Sequence, residues 1–236
     1  MKTVFHPAEQ RGQAEHGWLS SRFSFSFAGY YNPERMHFGV LRVLNDDIIR
    51  PDNGFGMHPH DNMEIVTIPL EGALEHRDSM GNGSIIHAGE VQLMSAGTGI
   101  KHSEFNPSKS EDSRLLQIWL FPKKRNIEPR YFQKAFTPAE MHNCFRVVVS
   151  PDGKDNSLPI NQDAWFNLGR FEKNHQINYQ VQHQDNGMYI FVIEGKVQIA
   201  GHTLDKRDAV GLSDASGIEM NILEDSHLLL IDLPMR

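Results

Sequence analysis

Short apolar runs closed by Gly, Asn, Asp or Pro recur along the whole chain: Phe38 to Leu44, Ile65 to Leu70, Val91 to Met94, Leu115 to Phe121, Phe145 to Val149, Tyr189 to Ile193 and Leu228 to Leu233. Such lengths and punctuation are those of strands, and the helical period is weak throughout. The pattern predicts an all-β chain, a sandwich or barrel. Helix is expected only over Thr137 to Asn143, where Thr-Pro gives a cap-like start, with a turn near Pro33 to Met36.

One stretch of the pattern repeats. Ile65-Val66-Thr67-Ile68-Pro69-Leu70-Glu71-Gly72-Ala73-Leu74 and Tyr189-Ile190-Phe191-Val192-Ile193-Glu194-Gly195-Lys196-Val197-Gln198 share an apolar strand, Glu-Gly and a second strand. Each continues to a Gly-Ile, at Gly99-Ile100 and Gly217-Ile218. The echo predicts a duplicated architecture. Residues 1–125 are expected to form an N-terminal domain, 126–140 a crossover linker and 141–236 a C-terminal domain.

Candidate chemistry sits in the first half. His58-Pro59-His60 and His102-Ser103-Glu104 each place two donors two residues apart. On a strand, residues i and i+2 face the same side, roughly 6.5–7 Å apart. Each pair can therefore aim at one point, and together they look like two halves of a metal site. Imidazole and carboxylate suit iron, manganese, cobalt, nickel, copper or zinc. Four protein ligands leave open positions on an ion that prefers six, as chemistry requires. Gly56 before the first pair, and Gly97 and Gly99 before the second, allow the chain to swing inward. On the internal echo, His58 and His60 correspond to Val181 and His183, and His102 and Glu104 to Met220 and Ile222. If the halves are duplicates, the second kept the fold and lost the metal.

Composition excludes some functions. The chain has 23 basic and 30 acidic residues among 236, a formal net charge of -7, and no basic cluster longer than Lys123-Lys124-Arg125. That balance argues against direct nucleic-acid binding, which needs a concentrated basic face. The single cysteine, Cys144, rules out an intrachain disulfide and reads as a small buried apolar residue. The N-terminus lacks the apolar run of a signal peptide and no stretch approaches a membrane span, so a soluble, cytoplasmic protein is expected.

His58-Pro59-His60-Asp61-Asn62-Met63-Glu64 followed by Gly72 resembles the first cupin motif, and Gly89 with Ser95 through Asn106 resembles the second. More narrowly, the chain is similar to the two-cupin pirin family. Gly17-Trp18-Leu19, Phe23 to Ala28, Leu41 to Asp47 and the Asp78 to Asn82 turn resemble its bacterial branch. The resemblance thins in the second half to Ser150-Pro151-Asp152-Gly153 and Ile231-Asp232-Leu233-Pro234. It implies two stacked antiparallel β-barrels with metal in the first only, held by His58, His60, His102 and Glu104, with Fe(II) the foremost ion. Glu64 shares strand parity with His58 and His60, and many cupins use the acid at that position as a ligand. Pirin-like proteins take their carboxylate from the second motif, which leaves Glu64 near the site or on a strand that has bent away.

The resemblance further implies an oxygenase that cleaves flavonols such as quercetin with dioxygen, with Glu104 or Glu64 as general base. A second reading is a metal-binding, redox-sensing regulator acting through a protein partner, and a third is a metal that only braces the barrel. An enzyme needs an apolar cleft above the metal. Phe55, Met57, Met94, Phe105 and Trp119 are candidate walls, although barrel core is the plainer reading of each. His76 and His87 flank the Asp78 to Gly83 turn and read as surface-loop histidines. His183 is the lone relic of the second site, and His6, His16, His37, His142, His175, His202 and His227 show no usable spacing.

Overall fold

The structure is a computed structural model that describes residues 1–236. Its only helical pieces are single 3-10 turns at Ala8–Gln10, Pro138–Met141 and Lys154–Asn156. The expected helix over Thr137 to Asn143 is thus one turn. Pro138 and a Thr137–Glu140 capping box set its start, and Asn143, with φ +53°, lies in the left-handed region just beyond it. Near Pro33 the chain makes a turn closed by the Arg35 N–H on the Asn32 carbonyl at 2.9 Å. The apolar runs become strand cores, but the last two are fragments of far longer strands, Asn186–Ile199 and Gly217–Pro234, which pair with each other through irregularities near Glu194.

The first half folds into two facing antiparallel sheets. One holds, in spatial order, Arg130–Ala135, Glu90–Ser95, Glu64–Glu71, Ser113–Leu120, Leu41–Ile49, Leu19–Phe23 and Gly12–Glu15. The other holds Gly54–His60, Ile100–Phe105, Ala73–Asp78 and Gly83–His87. The second half is a single nine-stranded sheet wrapped around its own interior. Two strands cross the expected division. Arg130–Ala135, inside the stretch read as a crossover, extends the first barrel beside Glu90–Ser95. Lys2–His6 pairs with Ala209–Ser213 in the second.

The largest apolar cluster, 28 buried residues, draws on both halves, including Leu44, Val66 and Leu93 from one and Phe166, Tyr189 and Leu229 from the other. The seam between barrels is therefore the main core, which makes the halves one packed body. The second barrel also has an apolar interior of 15 residues. Met220 and Ile222 belong to it and Val181 packs against it, so three of the four positions corresponding to the first barrel's donors are hydrocarbon. His183, the relic, lies exposed in a loop.

Cys144 corrects an expectation: it is exposed, at the end of the 3-10 turn, and its Sγ donates to the Glu140 carbonyl at 3.3 Å. No helix is long and apolar enough to cross a membrane.

Candidate metal centre

Gly54–His60 and Ile100–Phe105 are antiparallel neighbours, and their register sets His102 directly opposite His58. Opposed residues share a sheet face, so the two motifs meet as their i, i+2 spacing requires. The three imidazoles form a near-equilateral triangle, with ring centroids 4.4 Å apart for His58–His102 and 4.9 Å for both His58–His60 and His60–His102. Each offers a ring nitrogen within 4.8 Å of the other two.

Glu104 stands apart from that triangle. A bulge between His102 and Glu104 shifts the register, placing Glu104 opposite Phe55 on one side and opposite His76 on the other. Its donor atom clusters with those of His102 and His76, again within 4.8 Å. Both carboxylate oxygens accept from Gln117 Nε2, at 2.9 and 3.0 Å, and Gln117 Oε1 in turn accepts from Thr67 at 3.0 Å. His102 is common to both clusters.

His76 departs from the expectation of a surface-loop histidine. It lies fully buried on Ala73–Asp78, in register with Glu104, not on a surface loop. Its nearness to the Asp78–Gly83 turn misled, yet Leu74, His76 and Asp78 alternate with Ala73, Glu75 and Arg77 as an inward-facing strand should. That alternation was the available signal. His87, by contrast, is exposed on Gly83–His87 as expected.

Glu64 does not join the donors. Asn62, with φ +47°, turns the chain between Gly54–His60 and Glu64–Glu71, so the shared parity with His60 is lost where one sheet gives way to the other. Glu64 is buried, and its Oε2 accepts from Ser95 Oγ at 2.7 Å and from the Asn161 N–H of the second half at 3.1 Å.

The candidate walls divide. Trp119 stands edge-on to His60 with centroids 4.8 Å apart, and Phe55 lies between His58 and Trp18. Met94 is core, packed with Ile65, Ala96 and Ile100. Met57 and Phe105 are 58% and 36% exposed, so they are neither wall nor core. The depression that opens beside His60 holds about 660 Å³ and has a mixed lining, bordered by Pro59, Asp61, Ser79, Thr98, Ile100 and Lys101 with no aromatic carbocycle among them.

Burial governs the protonation of the cluster. Loss of water, with His58 alongside, drives His60 down to about 4, and the same causes joined by His60 and His76 drive His102 down to about 2. Both rings are neutral at pH 7. Burial lifts the Glu104 carboxyl to about 7 against the pull of Gln117. The His58 Nδ1–H donates to the Gly56 carbonyl at 2.8 Å, which leaves its Nε2 lone pair free. His60 Nε2 and both nitrogens of His102 are sealed from water and hydrogen-bonded to nothing.

A β-barrel with inward-facing histidines in its first half and a matching apolar barrel in its second defines a two-domain cupin. The chain belongs to the pirin family: the Pirin family pattern matches residues 4–120, and the quercetinase C-terminal cupin domain matches residues 147–233. A quercetin 2,3-dioxygenase of Escherichia coli K12 is 45% identical over 227 residues, covering 96% of each chain. A pirin-like protein of Caulobacter vibrioides is 40% identical over 96% of this chain and 97% of its own. The crystal structure of the bacterial pirin YhhW from Escherichia coli in complex with nickel(II) superposes with a TM-score of 0.94 at 43% identity, covering 99% of both chains.

Proposed function

We propose that this chain is a metal-dependent oxygenase of the quercetin 2,3-dioxygenase type, with a divalent transition metal held by His58, His60, His102 and Glu104. The observation that carries the reading is the triangle of imidazoles, with buried unpartnered nitrogens on His60 and His102. Polar atoms buried without partners cost about 1–3 kcal/mol each, and a cation would satisfy several at once. Three imidazoles and one carboxylate suit a borderline first-row ion, and we place Fe(II) first. Nickel(II) in the related pirin crystal supports the coarser statement of a divalent metal.

When bound, such an ion would act as a Lewis acid and template for a vicinal hydroxy-ketone and for dioxygen. The rest falls to the chain. The Gly56 carbonyl holds His58 in the tautomer that offers Nε2, and Trp119 limits the swing of His60. Gln117 fixes both oxygens of Glu104, the group we assign to take the substrate hydroxyl proton. Lys101 brings a positive charge to the rim of the depression beside His60, where an anionic polyphenol would approach.

The lining of that depression, which offers no aromatic carbocycle and one large aliphatic side chain, favours a second reading, a redox-sensing metal protein that acts through a protein partner, because an aromatic substrate calls for an apolar cleft. One experiment separates them. Metal content and oxygen uptake with quercetin are measured for the parent and for His58→Ala. The enzyme reading expects the variant to lose both while remaining folded. Undiminished turnover in His58→Ala would sink the assignment, and a metal-loaded parent that consumes no oxygen would favour the regulator.

A further inference from the structure

The two ring nitrogens of His102 pose a problem that one ion solves only by half. Both are buried and unpartnered. A ligand imidazole gives the ion one nitrogen and keeps its proton on the other, and that N–H still needs an acceptor. Among the histidine and carboxylate side chains, Glu104 and His76 bring ligand atoms within 4.8 Å of a His102 ring nitrogen. Glu104 already receives Gln117 on both oxygens and, on the reading above, the ion. His76 remains.

His76 has the required tautomer. Its Nε2 faces Asp78 Oδ2 at 3.3 Å, and an ionised carboxylate only accepts, so the proton sits on Nε2 and the lone pair on Nδ1. Asp78 is itself fixed by the Met80 and Asn82 backbone N–H groups at 2.9 and 3.0 Å and by Asn82 Nδ2 at 2.8 Å. His76 Nδ1 is buried with no partner of its own. Tyr131 stacks on the His76 ring at 4.8 Å and 28°, while the His102 ring centroid is 5.3 Å away. The orphan lone pair of one ring and the orphan N–H of the other thus belong to adjacent rings in a site closed to water.

We propose that His76 is a positioning residue of the metal centre, its Nδ1 accepting the remaining N–H of His102, so that Asp78 and His76 together decide which nitrogen of His102 is offered to the ion. The proposal rests on the reading of His58, His60, His102 and Glu104 as ligands. Outer partners of this kind typically raise metal affinity about ten- to a hundredfold.

The test uses full-length protein and three variants. His76→Leu fills the space without an acceptor, and His76→Asn keeps an amide oxygen near the place of Nδ1. His58→Ala controls for the ligand reading. Nickel(II) affinity is measured by competition with a chelator, and the imidazole N–H signals of zinc(II)-loaded, 15N-histidine-labelled protein are recorded. His76→Leu is expected to weaken nickel binding about ten- to a hundredfold and to lose the protected His102 N–H signal, with His76→Asn recovering most of both. The proposal is overturned if His76→Leu keeps parental affinity and signal, or if Asn rescues neither. It is also overturned if the parent binds two ions and the Leu variant one, since His76 would then be a ligand. Loss of nickel in His58→Ala but not in His76→Leu rejects the proposal alone, whereas parental affinity in His58→Ala rejects the ligand reading beneath it.

Discussion

A buried carboxylate needs donors to fix its orientation, and Gln117 supplies them to Glu104 through two hydrogen bonds from one amide nitrogen. Gln117→Met keeps the volume and removes the donor. It is expected to weaken metal binding about ten- to a hundredfold, read by chelator competition, because the carboxylate can then rotate away. Unchanged affinity would show that Glu104 needs no such support. At this scale the sequence was legible where the signal was strict spacing: parity sets His58 and His60 on one face, and the antiparallel register then brings His102 opposite His58. Glu104 was less so, because the bulge beside His102 leaves no mark in residue type. His76 was hidden by its neighbours, since a turn motif two residues on outweighed a short alternating run.

Strands that build the site are harder to read than strands that build the core. Gly54–His60 and Ala73–Asp78 carry no continuous apolar run, because positions that elsewhere hold Val or Leu here hold His58 and His60, or His76 and Asp78. Hydrophobic runs cannot reveal them, whereas Ile65 to Leu70 and Leu115 to Leu120 announce themselves. Close approach of backbone to backbone joins the site strands. A Cβ at Gly54 would stand 2.1 Å from the Glu104 carbonyl oxygen and 2.5 Å from Phe105 Cα. Gly54→Ala must therefore push Ile100–Phe105 aside at the bulge. We expect a loss of about 1–3 kcal/mol, seen as a lower Tm, together with weaker metal binding. A variant with parental Tm would mean that the bulge is pliant.

The molecule as a whole is asymmetric by design of its interiors: one barrel encloses donors, the other hydrocarbon, and a shared apolar seam joins them. The duplication was legible from a ten-residue echo, while the exchange of strands across the division was not, because pairing partners far apart in sequence leave no local trace. Buried histidines outside the metal centre tie the pair to pH. Burial, with Arg35 nearby, depresses His6 to about 4, and burial with Arg170 and Arg207 depresses His227 to about 3. In the unfolded chain each protonates near its ordinary value of about 6.5. The unfolded state therefore binds more protons between those limits, and stability, complete above about 6.5, falls as pH drops toward 4. His6→Gln should flatten that slope by up to one proton, about 1.4 kcal/mol per pH unit. Denaturant unfolding of the two proteins from pH 4.5 to 7.5 checks it, and parallel curves would refute it.

Lys2–His6 completes its ladder only with Ala209–Ser213. During synthesis at roughly 5–20 residues per second, its partner follows on the order of 10–40 s later. Once Arg130–Ala135 has been made the first barrel can close, while Lys2–His6 still lacks its partner. A translational pause or a premature stop before residue 209 would leave Lys2–His6 an unpaired strand open to a neighbouring chain.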